Sequence, residues 1–294
     1  MALRGLPALS DELSQWALSD IPRVPTGYEI FDSRTGGGIA PGEVMIFLAR
    51  TGVGKTWFAV NVLANNPTIP SMLFSLEMHG RYILQRLAAV HQNTPTVKIE
   101  ATLMRKGTAN AVDQTVRDFP LLLVDDEPGL GLGDMLEMVE LYGETHGEPV
   151  KLVVIDYIEL IQSFGQSQQE NVDRITWKLK DFARQADVAV IALHQVKRGE
   201  SKQGVQNQGH VPLAMTDARF GGEMAADYMM GMYRPSMNPK LMPEAALMGA
   251  NDVRLQFLKT RTGGGIEQFG VQHHWNPDSG KITELPAHMR GAIA

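Results

Sequence analysis

Apolar residues along this chain fall into two spacings. Continuous short runs at Val44–Leu48, Ser71–Ser75, Leu121–Val124, Lys151–Asp156 and Val188–Leu193 predict strands. Runs that are continuous rather than alternating indicate strands covered on both faces, as in parallel sheets. Between them the spacing changes to three and four. Val172, Ile175, Leu179, Phe182 and Ala186 predict a helix over 168–187. The stretches 57–64, 79–91 and 135–142 also read as helices, the last ending near Gly143. Residues 92–120 hold one or two helices, broken at Pro95 and Gly107. Val253–Leu258 reads as a strand, and 268–275 with 281–285 as a hairpin across Asn276-Pro-Asp-Ser-Gly280. Strands alternating with helices predict an α/β fold, a mostly parallel sheet with helices on both faces and a C-terminal antiparallel hairpin.

The ends read differently. Leu9, Leu13, Trp16 and Ala17 predict a short amphipathic helix, with Ser10 and Asp11 as caps and Ile21-Pro-Arg-Val-Pro25 as its break. Two readings are open: the helix packs on its own domain, or it docks on a neighbouring subunit. The expected organisation is an N-terminal helix and linker over 1–25, one domain over 26–285 and a tail over 286–294. Residues 235–251 read as an insertion or a longer loop.

The 294 residues carry 27 Lys+Arg against 33 Asp+Glu, a formal net charge of −6. A polyanionic partner would therefore need a local basic patch. There is no Cys, which excludes disulfides and thiolate metal sites and is compatible with a reducing cytoplasm. Apolar runs stay well short of the roughly 18 residues of a membrane span, and the N-terminus lacks a secretory pattern.

The chemistry concentrates at Val44–Thr56. A strand, the turn Arg50-Thr51-Gly52-Val53-Gly54, then Lys55-Thr56-Trp57 opening a helix is the context of a phosphate-binding loop. Glycines let backbone N–H groups close around phosphate oxygens, and the helix N-terminus adds its positive dipole. Lys55 would reach the β- and γ-phosphates of a nucleotide and Thr56 would hold Mg²⁺. Ala49 stands where the general pattern has its first Gly. Asp156 ends a continuous apolar strand at the edge where open α/β sheets bind ligands. It is a candidate for the Mg²⁺ shell, or a buried Asp satisfied by neighbouring N–H groups.

Thr26–Glu43 followed by Ala49-Arg-Thr-Gly-Val-Gly-Lys-Thr56 resembles the RecA-type ATPase core of the replicative hexameric helicases, the DnaB family. That family also commonly carries Ala at this first position. The resemblance runs in order from Thr26 to Trp275 and implies a RecA-like P-loop fold. Ser75-Leu-Glu-Met78 matches a family sequence whose Glu polarises the attacking water, which assigns that role to Glu77; the alternative is that Glu77 simply opens the next helix. Arg86 stands where the family has an Arg, with a role at the nucleotide or on a solvated helix face. Tyr157-Ile-Glu-Leu160 resembles the family's Tyr-Leu-Gln-Leu after Asp156. Gln195 matches a Gln that senses the γ-phosphate, and His194 is a second candidate there. Ala225–Arg234 looks like the family's Ala-Asp strand. Lys259-Thr-Arg261-Thr-Gly263 matches a hallmark whose cations project into the neighbouring subunit's nucleotide, otherwise two solvated cations on an edge strand.

Residues 199–209 have no periodicity, are rich in Gly, Gln, Ser and Lys, and read as a mobile loop; Pro212–Arg219 with Gly221-Gly222 resembles the family's second central loop. Lys197, Arg198, Lys202 and Arg219 would neutralise the backbone of single-stranded DNA, otherwise they line a solvated surface. The resemblance thus implies a Mg²⁺-dependent ATPase, a homo-oligomeric ring, replication partners or a loader, and a cytoplasmic location in a bacterial or phage-infected cell. The few residues before the core suggest a compact phage-type version lacking the family's N-terminal domain. Two alternatives share the fold: a recombination ATPase forming filaments on single-stranded DNA, and an ATP-gated assembly or loading module with little turnover.

Overall fold

A computed structural model describes residues 4–162, 168–196, 209–217, 226–238, 250–261, 263 and 265–285. Its helices are α1 (Leu6–Ala17), α2 (Glu29–Asp32), α3 (Lys55–Ala64), α4 (Gly80–His91), α5 (Thr96–Lys106), α6 (Asn110–Asp118), α7 (Leu132–His146) and α8 (Gln168–Ala186). The strands are β1 (Val44–Arg50), β2 (Ser71–Ser75), β3 (Leu122–Asp125), β4 (Leu152–Asp156), β5 (Ala189–Val196), β6 (Tyr228–Tyr233), β7 (Asp252–Thr260), β8 (Glu267–Trp275) and β9 (Ile282–Glu284).

The nine strands form one sheet in the order β3-β2-β4-β5-β1-β6-β7-β8-β9. From β3 to β6 all neighbours are parallel. From β6 to β9 they are antiparallel. This is the mostly parallel sheet with a C-terminal antiparallel hairpin that the sequence predicts.

β1 is buried along its whole length because it lies at the centre with helices on both sides. Its side chains alternate between two cores, as the period of two requires. Met45, Phe47 and Ala49 join Phe58 and Val62 of α3 and Ile83 and Leu87 of α4. Val44, Ile46 and Leu48 join Met135 and Val139 of α7 and Ile175 and Leu179 of α8. Phe47 and Phe58 stack at 3.7 Å between ring centroids. Asn61, buried in α3, ties that helix to the terminal hairpin: its amide donates to Gly280 O and its oxygen accepts from Ile282 N, each at 2.9 Å.

Several expectations shift. Leu121–Val124 reads as a buried strand, but β3 is the sheet edge and Leu123 and Val124 are over a third exposed. The helix read as ending near Gly143 continues to His146 and closes at Gly147 in the left-handed conformation. Ser10 and Asp11 lie inside α1; Gly5 is its N-cap. The packed body also begins before residue 26, because Val24 is buried and pairs with Ile39. The predicted tail, 286–294, and most of 235–251 lie outside the described residues. No helix among the described residues is long and apolar enough to cross a membrane.

Candidate functional site

The carboxyl ends of β1, β2, β4 and β5 converge on one cavity. It has a volume of about 260 Å³ and is lined by Arg50, Thr51, Gly52, Gly54, Lys55, Thr56, Trp57, Glu77, Met78, Arg86 and Gln195. The turn after β1 places Gly52 at φ +80° and Gly54 at φ +122°, values that a side chain would strain. A Cβ on Gly54 would also approach Met232 Cε to 3.2 Å. That turn aims the N-terminus of α3 into the cavity.

Three groups meet at and just beneath its floor. Thr56 Oγ1 donates to Asp156 Oδ2 at 2.6 Å. Lys55 Nζ stands 3.4 Å from Asp156 Oδ1, 4.0 Å from Glu77 Oε2 and 3.8 Å from the centroid of the Tyr157 ring. Asp156 is 1% exposed, and neither its Oδ1 nor Lys55 Nζ completes a hydrogen bond among the described residues. A buried carboxylate and a buried ammonium with unused capacity are suited to a ligand that is both anionic and cation-bearing. Among the described residues there is no cluster of three or more His, Asp or Glu that could hold a metal by itself. A hard divalent cation at Thr56 and Asp156 would therefore take its other ligands from phosphate and water, which is the usual habit of Mg²⁺.

Glu77 follows β2 and is about half exposed at the cavity rim. Arg86 reaches in from α4 with its guanidinium 4.8 Å from the Trp57 ring centroid. Burial lowers the pKa of Arg86, opposed by the charges of Asp156 and Glu77. Burial also lowers that of Arg50, opposed by Asp217. Arg50 NH2 lies 3.5 Å from Asp217 Oδ2, which links the cavity to the 209–217 segment. Tyr157 is raised, first by burial and then by the charges of Glu77, Glu159 and Asp156.

Gln195 enters from β5, and its Nε2 donates to Thr51 Oγ1 at 2.7 Å. His194 points away from the cavity; it is buried, with Nδ1 2.9 Å from Glu159 Oε1. Val53 does not line the cavity: its side chain is in the core and its N–H donates to Arg50 O at 3.2 Å.

Lys259 and Arg261 lie elsewhere. β7 runs antiparallel to β6, so Thr260 pairs with Tyr228, which pairs with Met45 near the start of β1. Arg261 is thus level with Val44, on the order of 20 Å along β1 from the phosphate turn. Its backbone N–H donates to Asp227 O at 3.1 Å, and its NH1 stands 3.2 Å from Asp227 Oδ1. Lys259 Nζ donates to Ala226 O at 2.7 Å. Asp227 is a hub that sequence reasoning missed. It also accepts from Val44 N at 2.8 Å and from Lys180 Nζ at 2.6 Å. Lys197, Arg198, Lys202 and Arg219 lie outside the described residues.

The sequence matches the DnaB-like helicase C-terminal domain family over residues 23–276. The replicative DNA helicase DnaC of Bacillus subtilis (strain 168) is 31% identical over 230 residues, 73% of this chain and 48% of that protein. The replicative DNA helicase DnaB of Leifsonia xyli subsp. xyli is 32% identical over 237 residues, 76% of this chain and 49% of that protein. The chain thus spans about half the length of the curated relatives it matches. Among solved structures, an ATPase domain superposes with a TM-score of 0.77 at 23% identity, covering 96% of this chain and 97% of that one. A DnaB-like replicative helicase, described with its interactions with primase, gives 0.76 at 23% identity over 97% of this chain and 69% of that one. With a family match that covers strands β1 to β8 and both helical layers of the sheet, the chain belongs to the DnaB-like helicase C-terminal domain family.

Proposed function

We propose that this chain is the ATP-hydrolysing motor of a ring-forming helicase that moves along single-stranded DNA. The observation that carries the reading is the division of charge between two ends of one sheet. Lys55, Thr56, Glu77 and Asp156 meet at the carboxyl end of β1 and β4. Arg261 projects, about half exposed, at the opposite end. It cannot serve its own cavity, so a cation of this kind acts on a nucleotide held by a second copy.

The residues then divide the work. Backbone N–H groups of Thr51, Gly52, Gly54 and Lys55 cradle the phosphates, with the Lys55 ammonium on the β- and γ-oxygens. Thr56 and Asp156 hold Mg²⁺, which when bound neutralises charge building on those oxygens. Glu77 orients the attacking water and draws off its proton. Gln195 contacts the γ-phosphate and passes its presence to the residues that follow β5. Arg261 and Lys259 of the adjacent copy stabilise the transition-state charge. Arg86 and Trp57 form a wall of the nucleotide cavity. Lys197, Arg198, Lys202 and Arg219 grip the DNA backbone without regard to sequence.

α1 supports assembly. It buries no residue, and Leu6, Leu13 and Leu18 are more than 60% exposed. Trp16 is partly buried and donates to Pro22 O at 2.9 Å beneath the Arg23 guanidinium. An amphipathic helix without a face to cover on its own domain fits a neighbouring copy.

Purified protein assayed for ATP hydrolysis with and without single-stranded DNA tests this reading. Hydrolysis that rises with DNA, together with displacement of an annealed strand, is the expected result. Hydrolysis indifferent to DNA would leave a nucleotide enzyme without a motor.

A further inference from the structure

Glu159 is a buried carboxylate to which no step above gives a task. It sits in the 3-10 turn Ile158–Leu160 just after Asp156, with its side chain 8% exposed. Its surroundings follow from the sheet register. The last pair between β4 and β5 is Ile155 with Ala192, and β4 ends one residue later at Asp156. β5 continues, and on its other side stays paired with β1 as far as Arg50 opposite Val196. The tip of β5 has therefore lost its neighbour on the β4 side, and a backbone N–H there needs another acceptor. Glu159 supplies it: Gln195 N donates to Glu159 Oε1 at 2.9 Å. His194 Nδ1 stands 2.9 Å from the same oxygen. The side chain of Gln195 then reaches Thr51 in the phosphate turn at 2.7 Å.

We propose that Glu159 is the positioning residue of Gln195: its carboxylate replaces the missing strand and fixes the tip of β5, so that the Gln195 amide meets the γ-phosphate. This rests on the nucleotide reading given above. The proposal concerns the backbone N–H of Gln195 and the chemistry of one acceptor oxygen. Glu159→Gln keeps a carbonyl oxygen there, whereas Glu159→Ala removes it.

The test compares kcat, KM and the affinity for a fluorescent ATP analogue in wild type, Glu159→Ala, Glu159→Gln, Gln195→Ala and the double alanine variant. Loss of the acceptor should lower kcat roughly 10- to 100-fold, the usual cost of a small misplacement. Analogue affinity should stay within about twofold, and the Gln variant within about threefold of wild-type kcat, because the acceptor survives. The double variant should be no slower than Gln195→Ala, since both changes disable one unit. Glu159→Asp keeps the charge but withdraws the oxygen by one methylene. It should share the loss, and it replaces the alanine variant if that one fails to fold. Wild-type kcat in Glu159→Ala or Glu159→Asp beside an impaired Gln195→Ala overturns this proposal alone, as do additive losses in the double variant. Wild-type kcat in Gln195→Ala overturns the sensor reading and this proposal with it.

Discussion

Thr56 Oγ1 and Asp156 Oδ2, a hundred residues apart in sequence, are joined by a 2.6 Å hydrogen bond at the floor of the cavity. The hydroxyl opens α3 and the carboxylate closes β4, so the bond exists because the sheet sets the two elements side by side. Asp156→Asn removes the charge and keeps the shape. It should raise the Mg²⁺ concentration needed for half-maximal hydrolysis and cut the rate, while EDTA abolishes hydrolysis in the wild type. A magnesium titration of both proteins checks this; superimposable curves would remove Asp156 from the metal shell.

Glu77 is different from Lys55 and Asp156 in being half exposed, at the rim and not at the floor. Its assigned work is on water, so Glu77→Gln should leave nucleotide binding intact and slow hydrolysis by roughly 10²–10⁴, the range for loss of a general base. Equilibrium binding and single-turnover hydrolysis separate the two effects.

Asp227 serves Val44 N, Lys180 and Arg261 from one nearly buried carboxylate. Asp227→Ala leaves the Val44 N–H and the Lys180 ammonium without their acceptor. Breaking a buried charged pair by removing one partner costs about 3–5 kcal/mol. Urea unfolding should show that loss, and the half-exposed Arg261 should contribute little of it. Arg261→Ala alone should therefore unfold close to wild type.

α1 can change without harm to the body. Leu9→Glu with Leu13→Glu alters a helix that buries nothing, so the melting temperature of the isolated chain should hold. Sedimentation should instead show weaker assembly. Unchanged oligomers would mean that α1 has no part in the contact between copies.

What the sequence made legible follows from how locally each feature is written. The phosphate turn is contiguous, from Arg50 to Thr56, and its strand and helix flank it directly. The buried runs at β1, β4 and β5 reveal a parallel sheet because both faces are covered. Edge position is not written locally, so β3, with the same apolar run, reads as buried although it ends the sheet. Gly143 signals a stop by composition, yet α7 runs on to His146, whose ring stacks on Tyr142 with centroids 4.3 Å apart and whose Nδ1 stands 3.1 Å from Tyr142 O. Asp227 and Glu159 were missed for a related reason. Each answers a backbone N–H, Val44 and Gln195, that only the sheet register brings near. The one signal available was a lone acidic residue beside an apolar strand. Val53 sits within the turn motif, but its side chain faces the core, which a pattern of spacings does not show.

The central claim is that each catalytic site is shared between two copies. Lys55→Ala disables the phosphate side and Arg261→Ala the trans side, where a lost Arg can cost on the order of 10³–10⁵ in rate. The two inactive proteins, mixed in equal amounts and allowed to exchange subunits, form some interfaces with an intact Lys55 facing an intact Arg261. Random mixing makes these about a quarter of all interfaces in a head-to-tail ring. The account predicts that ATP hydrolysis returns in the mixture to roughly that fraction of the wild-type rate. A mixture as inactive as its components, with exchange confirmed by labelled subunits, would contradict it.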